Sequence, residues 1–393
     1  MMKYSTLVSS SVLVLLLATF TLSAQALDQA EMEMNQQKMD QQMLEVSDWF
    51  QDQGYLRSNL MLAVTGLSIH KRPSVDRVLE ILNAGIGSKQ LQKSDWHRLA
   101  RFCQEAHLKT AFIKQESTEN ESANQLVNWC KKNRIVNQFI KKDADNAYAY
   151  LFQMDFSADD PYNRDNQRLL EKAASAKYVT DYFGYGMQAY TTHLREYYRS
   201  HQLEPIVVPA GFGFSGNVED MFAYHFLIIT VAVYVAYPMN AISYCTNTQR
   251  QLWPSFDDKT VLECIRLMEL FRSDKNTVMD NRIANAIIAS LSTPGSDQQL
   301  EATRLEISNR LAYECLATWG DPTNSEVSEM VQFAVFLKMT QLRESMGEMQ
   351  AMAVASDQYF AERQNKNAPK PSSCLLLKDL SLEAAEELLA AKK

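Results

Sequence analysis

Glycine and proline are scarce in this chain, at 12 and 10 of 393 residues. Period-two alternation of Val and Ile is rare as well, so the signal of half-buried strands is missing. Both absences exclude a sheet-rich fold and leave an all-α protein. Catalytic signatures are also missing: there is no HExxH, no P-loop and no CxxC. Gly213-Phe214-Ser215-Gly216 fails as a G-x-S-x-G elbow because its second glycine comes one residue early. Gly211-Phe212-Gly213 starts like a dinucleotide fingerprint but stops after two glycines. Positive charge is in deficit, with net charge −8 and pI near 5.4, and no basic patch carries interleaved aromatics. That balance speaks against a nucleic-acid partner. The longest apolar run, Met221 to Tyr237, contains His225 and several tyrosines and ends at Pro238. It reads as a buried helix of the C-terminal half rather than a membrane span.

What is present begins with an export signal. Lys3 gives a positive n-region, Val12 to Leu22 an apolar h-region, and Ala24-Gln25-Ala26 an A-x-A cleavage site. Residues 1–26 are therefore expected to be a signal peptide, leaving a periplasmic or secreted protein with no stable membrane span after cleavage. Six cysteines remain: Cys103, Cys130, Cys245, Cys264, Cys315 and Cys374. An oxidising compartment favours pairing them. Sequence alone leaves many connectivities open. Helix hairpins bring sequence neighbours together, which favours the order Cys103–Cys130, Cys245–Cys264 and Cys315–Cys374.

The chain divides by texture. Residues 27–200 read as an N-terminal helical-repeat region, 201–217 as a Gly/Pro-rich loop, and 218–393 as a C-terminal helical region. Ser74 and Ser94 are positioned to cap helices, with Asp95 in the first turn of the second. Residues 115–121 are expected to be a loop. Asp280 is expected to cap a helix over 283–291, Gly347 to break a long helix over 325–364, and Ser381 to cap the closing helix.

The stretch from Asp143 to Ser200 organises the rest. Ala147, Tyr150, Leu151 and Met154 share one helical face, as do Leu169, Leu170, Ala173 and Ala174. Two short helices, 146–156 and 164–176, are expected on either side of a polar turn, with a tyrosine-rich helix over 178–198 after them. The run Asp145-Asn146-Ala147-Tyr148-Ala149-Tyr150-Leu151, followed by Leu169-Leu170-Glu171-Lys172-Ala173-Ala174, resembles the tetratricopeptide and Sel1-like helical-repeat group. The resemblance covers about one repeat, and no 34-residue period recurs elsewhere. It implies stacked antiparallel helix hairpins, a TPR-like solenoid, acting as a protein-binding scaffold.

The functional expectation is an exported, non-enzymatic scaffold for a protein or peptide partner. Its expected binding residues are Tyr182, Tyr185, Tyr190, Tyr197 and Tyr198, because aromatics dominate contact energy. The same tyrosines fit a half-buried core equally well. No cofactor and no metal ligand set is expected. His193 and His201, with Glu196 and Glu204 nearby, share one helix face, but zinc wants closer ligand spacing. One alternative is a hydrolase using the 201–225 segment, with Ser215, His225 and either Glu219 or Asp220. Another is periplasmic Cu(I) handling by Met32, Met34, Met39 and Met43. The later Met339, Met346, Met349 and Met352 fit packing.

Overall fold

The computed structural model describes residues 29–64, 75–112, 118–155, 159–182, 185–201, 243–273, 276–318, 338–339, 342–343, 345–362 and 370–391. Among these the protein is all-α, without strands; Asn146 and Tyr178 form one isolated parallel bridge. The helices are α1 (Gln29–Asp52), α2 (Leu56–Leu62), α3 (Val75–Gly87), α4 (Lys93–Phe112), α5 (Thr118–Lys132) and α6 (Ile135–Asp143). After them come α7 (Tyr148–Leu151), α8 (Arg164–Ala174), α9 (Met187–Ser200), α10 (Asn247–Leu252) and α11 (Asp258–Phe271). The chain closes with α12 (Val278–Leu291), α13 (Asp297–Thr318), α14 (Glu348–Glu362), a 3-10 segment (Pro371–Asp379) and α15 (Leu382–Ala391). The signal peptide, most of the 201–217 loop and the 221–237 run lie outside the described residues. No described helix is long and apolar enough to cross a membrane.

Packing follows chain order with a few returns. α4 packs on α5 and α6, α6 on α7, and α7 on α8, while α11, α12 and α13 pack in succession. α9 returns to α1 and α2, and α8 crosses to α11. Both contacts feed one buried cluster that runs from Met43 to Ala302. Smaller clusters seat the C-terminal segments on α13: Ala312 and Leu316 meet Met349, Ala353 and Cys374, and Ile307 and Leu311 meet Ala385. Met339, Met346 and Met352 pack with Ala351 and Ala355, which is a packing role.

Local chemistry sets the helix starts. The Asn163 side chain accepts from the amides of Asp165 and Asn166 at 3.1 and 3.0 Å and starts α8. Asn163→Ala should therefore lower stability by about 1 kcal/mol in urea titration, and a change below a few tenths would count against this cap. Asp257 caps α11 through the Thr260 amide at 2.8 Å. Ser381 does so for α15, accepting from Ala384 at 3.2 Å. Gly347 adopts φ +79° immediately before α14, the break expected there.

Five expectations are corrected. The loop expected over 115–121 is helical from Thr118. Ser94 lies inside α4; the Asp95 carboxylate accepts from the Gln92 amide at 2.9 Å instead. Thr277, not Asp280, caps α12, and the helix begins at Val278. The helix expected over 146–156 shrinks to α7, because Asn146 accepts from Tyr148 and Thr180 amides while Asp155 exchanges hydrogen bonds with Asn166. The helix expected from 178 starts only at Met187. Its first residues run extended beside residues 145–147, with Ala147 donating to the Tyr178 carbonyl at 2.9 Å and both Lys177 and Tyr178 donating to Asp145. Local propensity yields there to hydrogen bonds from far along the chain.

All six cysteines are paired in the expected order. Cα separations are 5.7 Å for Cys103–Cys130, 5.4 Å for Cys245–Cys264 and 5.7 Å for Cys315–Cys374. The first pair joins α4 to α5. The second does not join successive helices, since α10 intervenes between Cys245 and α11. Three disulfides fit an oxidising, non-cytoplasmic compartment.

Candidate functional site

Aromatic side chains collect where α1, α2 and α9 meet. Gly54, at φ +72°, ends α1 in a left-handed cap: its amide donates to the Gln51 carbonyl and the Tyr55 amide to that of Phe50, at 3.1 and 2.8 Å. This turn folds Tyr55 back onto Trp49, with ring centroids 5.5 Å apart. α9 adds His193 and Tyr197, four apart and so on one face, and His201 follows as its C-terminal cap, its amide donating to the Tyr197 carbonyl. The His193 ring lies flat on Tyr55 at 3.6 Å, and Tyr197 stacks on His201 at 4.2 Å. Trp49 meets the edges of Tyr197 and His201 at 5.6 and 6.4 Å. Trp49, Tyr55, His193 and Tyr198 are half-buried and His201 is exposed, so the ridge keeps ring surface in solvent.

Its rim is acidic. Tyr55 donates to exposed Glu196 at 2.9 Å and Tyr197 to exposed Glu45 at 3.4 Å. The Glu196 hydrogen bond raises the Tyr55 hydroxyl, with burial adding to it. Burial, then Glu45, pushes Tyr197 up to about 12. Burial also lowers His193, against the pull of Glu196. Near neutral pH Tyr55, Tyr197 and His193 are thus held neutral beside carboxylates. Ser58 Oγ is 2.8 Å from His193 Nδ1, a nucleophile–base pair in form. Yet Ser58 is buried within α2, and the neighbouring Glu196 carboxylate accepts from Tyr55.

A second polar centre lies at the start of α4. The Asp143 carboxylate is fully buried and accepts from Tyr178 at 2.6 Å, Tyr182 at 2.7 Å and Asn146 at 3.1 Å, with Lys93 Nζ at 2.8 Å. Burial alone would raise Asp143, but these hydrogen bonds outweigh it and hold the carboxyl below its ordinary value. Lys93 is raised through its bond to Asp143. Tyr182 is raised by burial and then by Asp143. Each group is driven away from neutrality, so the cluster fixes protons rather than exchanging them. Beside it, buried Asp95 takes Arg57 at 2.7 Å and Arg98 at 3.2 Å, while Arg98 also donates to the Tyr185 carbonyl. His97 is buried among Phe139, Tyr148, Phe152 and Tyr182. Burial, then Arg101 and Arg98, lowers it well below its ordinary value, so it stays neutral.

The five tyrosines expected to bind are thus divided. Tyr197 and Tyr198 belong to the ridge; Tyr190 is fully buried beneath it against Phe50 at 5.8 Å. Tyr182 and Tyr185 serve the α4 centre. Ser215, Glu219, Asp220 and His225 lie outside the described residues, as do the side chains of Met32, Met34 and Met39. Met43 is buried in the core. Trp49, Tyr55 and Ser58 had no signal of their own in the sequence; the four-residue spacing of His193, Tyr197 and His201 was the available one. Among the described residues no group of three His, Cys, Asp or Glu side chains could hold a metal ion. Comparison with known families, curated proteins and solved structures returns no match.

Proposed function

We propose that this protein is an exported, non-enzymatic scaffold of stacked antiparallel helix hairpins whose aromatic ridge binds a protein or peptide segment. The observation that carries this reading is the ridge itself: half-exposed Trp49, Tyr55 and Tyr198, flanked by His193 and His201 and rimmed by Glu45 and Glu196. Aromatic anchors supply most of the energy of recognition surfaces. Cations sit favourably over such rings, and more so beside carboxylates. The partner is therefore a segment rich in basic and apolar side chains. Three disulfides support an extracytoplasmic setting, in keeping with the expected signal peptide.

Calorimetric titration of the oxidised protein against basic-apolar and acidic peptides tests it. Basic-apolar peptides should bind, and Trp49→Ala should weaken them roughly thirtyfold, the loss of one anchor. Tyr198→Ala, at the ridge's edge, serves as a second variant should Trp49→Ala lower the melting temperature. Equal binding of both peptide classes, or affinity unchanged in both variants, would overturn the assignment.

A further inference from the structure

Away from the ridge, the corner between α5 and α6 gathers positive charge. Residues 131–142 hold five cations, and no acidic residue stands between Glu121 and Asp143. In a chain of net charge −8 that is a local reversal of sign. Ile135 and Phe139 are buried and Cys130 is bridged to Cys103 on α4, so both helices are held in place beneath the charges. Lys131, Lys132, Arg134, Lys141 and Lys142 are all exposed, and among the described residues none of them forms an ion pair. Elsewhere carboxylates take up cations, as at Arg304–Glu301 and Arg310–Glu314. A sixth cation joins at the far end of α6. There Tyr150 donates to the Ala144 carbonyl at 3.0 Å and carries Lys172 Nζ 5.9 Å from the centre of its ring. Helix dipoles account for part of this charge. Lys131 and Lys132 close α5, and Lys141 and Lys142 close α6, where cations are favoured. Arg134 has no such reason. It precedes α6, at the positive end, with φ +49°, a left-handed turn that glycine or asparagine takes at less cost.

We propose that this corner seats the protein on an anionic phospholipid surface, by charge and without insertion. An exposed arginine set against two local preferences is then explained by the phosphates it meets. Arg134 and Lys142 lie about 12 Å apart along α6, by the helical rise. Cations so spread suit the many headgroups of a plane better than one enclosed anion. Screening at physiological salt acts over about 8 Å, so the corner is positive to a nearby surface although the whole chain is acidic. Among these residues no large apolar side chain is exposed to anchor a protein partner or to enter hydrocarbon. Trp129 and Phe139 are buried and Tyr150 lies beneath Lys172, so no open ring awaits a nucleic-acid base. The contact is independent of what the ridge binds.

Flotation of the full oxidised chain with vesicles reads this contact without any variant. Vesicles of phosphatidylcholine with about 30% phosphatidylglycerol should carry the protein at low salt, and phosphatidylcholine alone should not. Affinity should fall roughly tenfold or more between about 50 and about 200 mM salt. Lys141→Gln with Lys142→Gln should weaken binding roughly thirtyfold, about fivefold for each cation near an anionic surface. Arg134→Gly should weaken it about fivefold yet hold or raise the melting temperature, because glycine suits the left-handed turn. An arginine that serves only the turn would leave vesicle binding untouched. No binding to the anionic vesicles, equal binding to neutral ones, indifference to salt, or full affinity in the folded lysine variant would each overturn the proposal. Tighter binding of an acidic peptide or an oligonucleotide than of the vesicles, at equal anionic charge, would overturn it in favour of that polyanion.

Discussion

Asp143→Ala is expected to destabilise the protein by about 2–4 kcal/mol at neutral pH, because several largely buried donors lose their shared acceptor. Asp143 ends α6, Lys93 opens α4, and Asn146, Tyr178 and Tyr182 come from the two runs that lie side by side after them. One carboxylate gathers all four donors, so its loss leaves buried hydroxyls without their acceptor and an ammonium without its counter-charge. Urea unfolding at constant slope measures this. A loss below about 1 kcal/mol, typical of a surface pair, would show that the network adds little. The effect has a pH signature. The Asp143 carboxyl titrates below its unfolded value of 3.8. Its contribution is therefore present above 3.8 and lost as pH falls through the lower folded value, so the gap between original and variant should shrink in acid. Lys93→Met should cost less, because the Lys93 side chain is 52% exposed.

Removing a disulfide is expected to have an effect of the same size. Sequence separations of 27, 19 and 59 residues correspond to about 3–4 kcal/mol each in the chain-entropy account. Cys245→Ala with Cys264→Ala should be the most damaging pair: both sulfurs are fully buried, and this bridge ties the residues before α10 to the middle of α11 within the main core. Mass spectrometry of the non-reduced, alkylated protein should find no alkylated cysteine and only these three pairs. Six alkylated cysteines would sink the assignment, and a crossed pattern would retain the bridges while rejecting their order.

The sequence by itself determined the helical class, because scarce glycine and proline and a steady three-and-four spacing of apolar residues act locally and leave no strand alternative. It favoured one disulfide order without choosing it, and the tertiary structure chose: Cys245–Cys264 pair although α10 intervenes, and Cys315–Cys374 pair across 59 residues. Helix ends with a side-chain cap or a left-handed glycine were legible at Ser381 and Gly347, where the responsible atoms are within a turn of the boundary. Tertiary structure alone decided the 143–186 region. Asn146, Asp155 and Tyr178 take partners far along the chain, and these hydrogen bonds shorten one expected helix and delay another by nine residues, from 178 to 187. It also divided the tyrosines into core, polar centre and ridge, because a helix carries rings on every side and only the packing of α1 and α2 against α9 chooses which face is covered. Asp143 looks in sequence like an ordinary surface acid, and Asp280 like a helix cap. Burial beside partners from distant elements is what holds the Asp143 carboxyl below its ordinary value, and burial first of all raises that of Asp280; no local pattern encodes either.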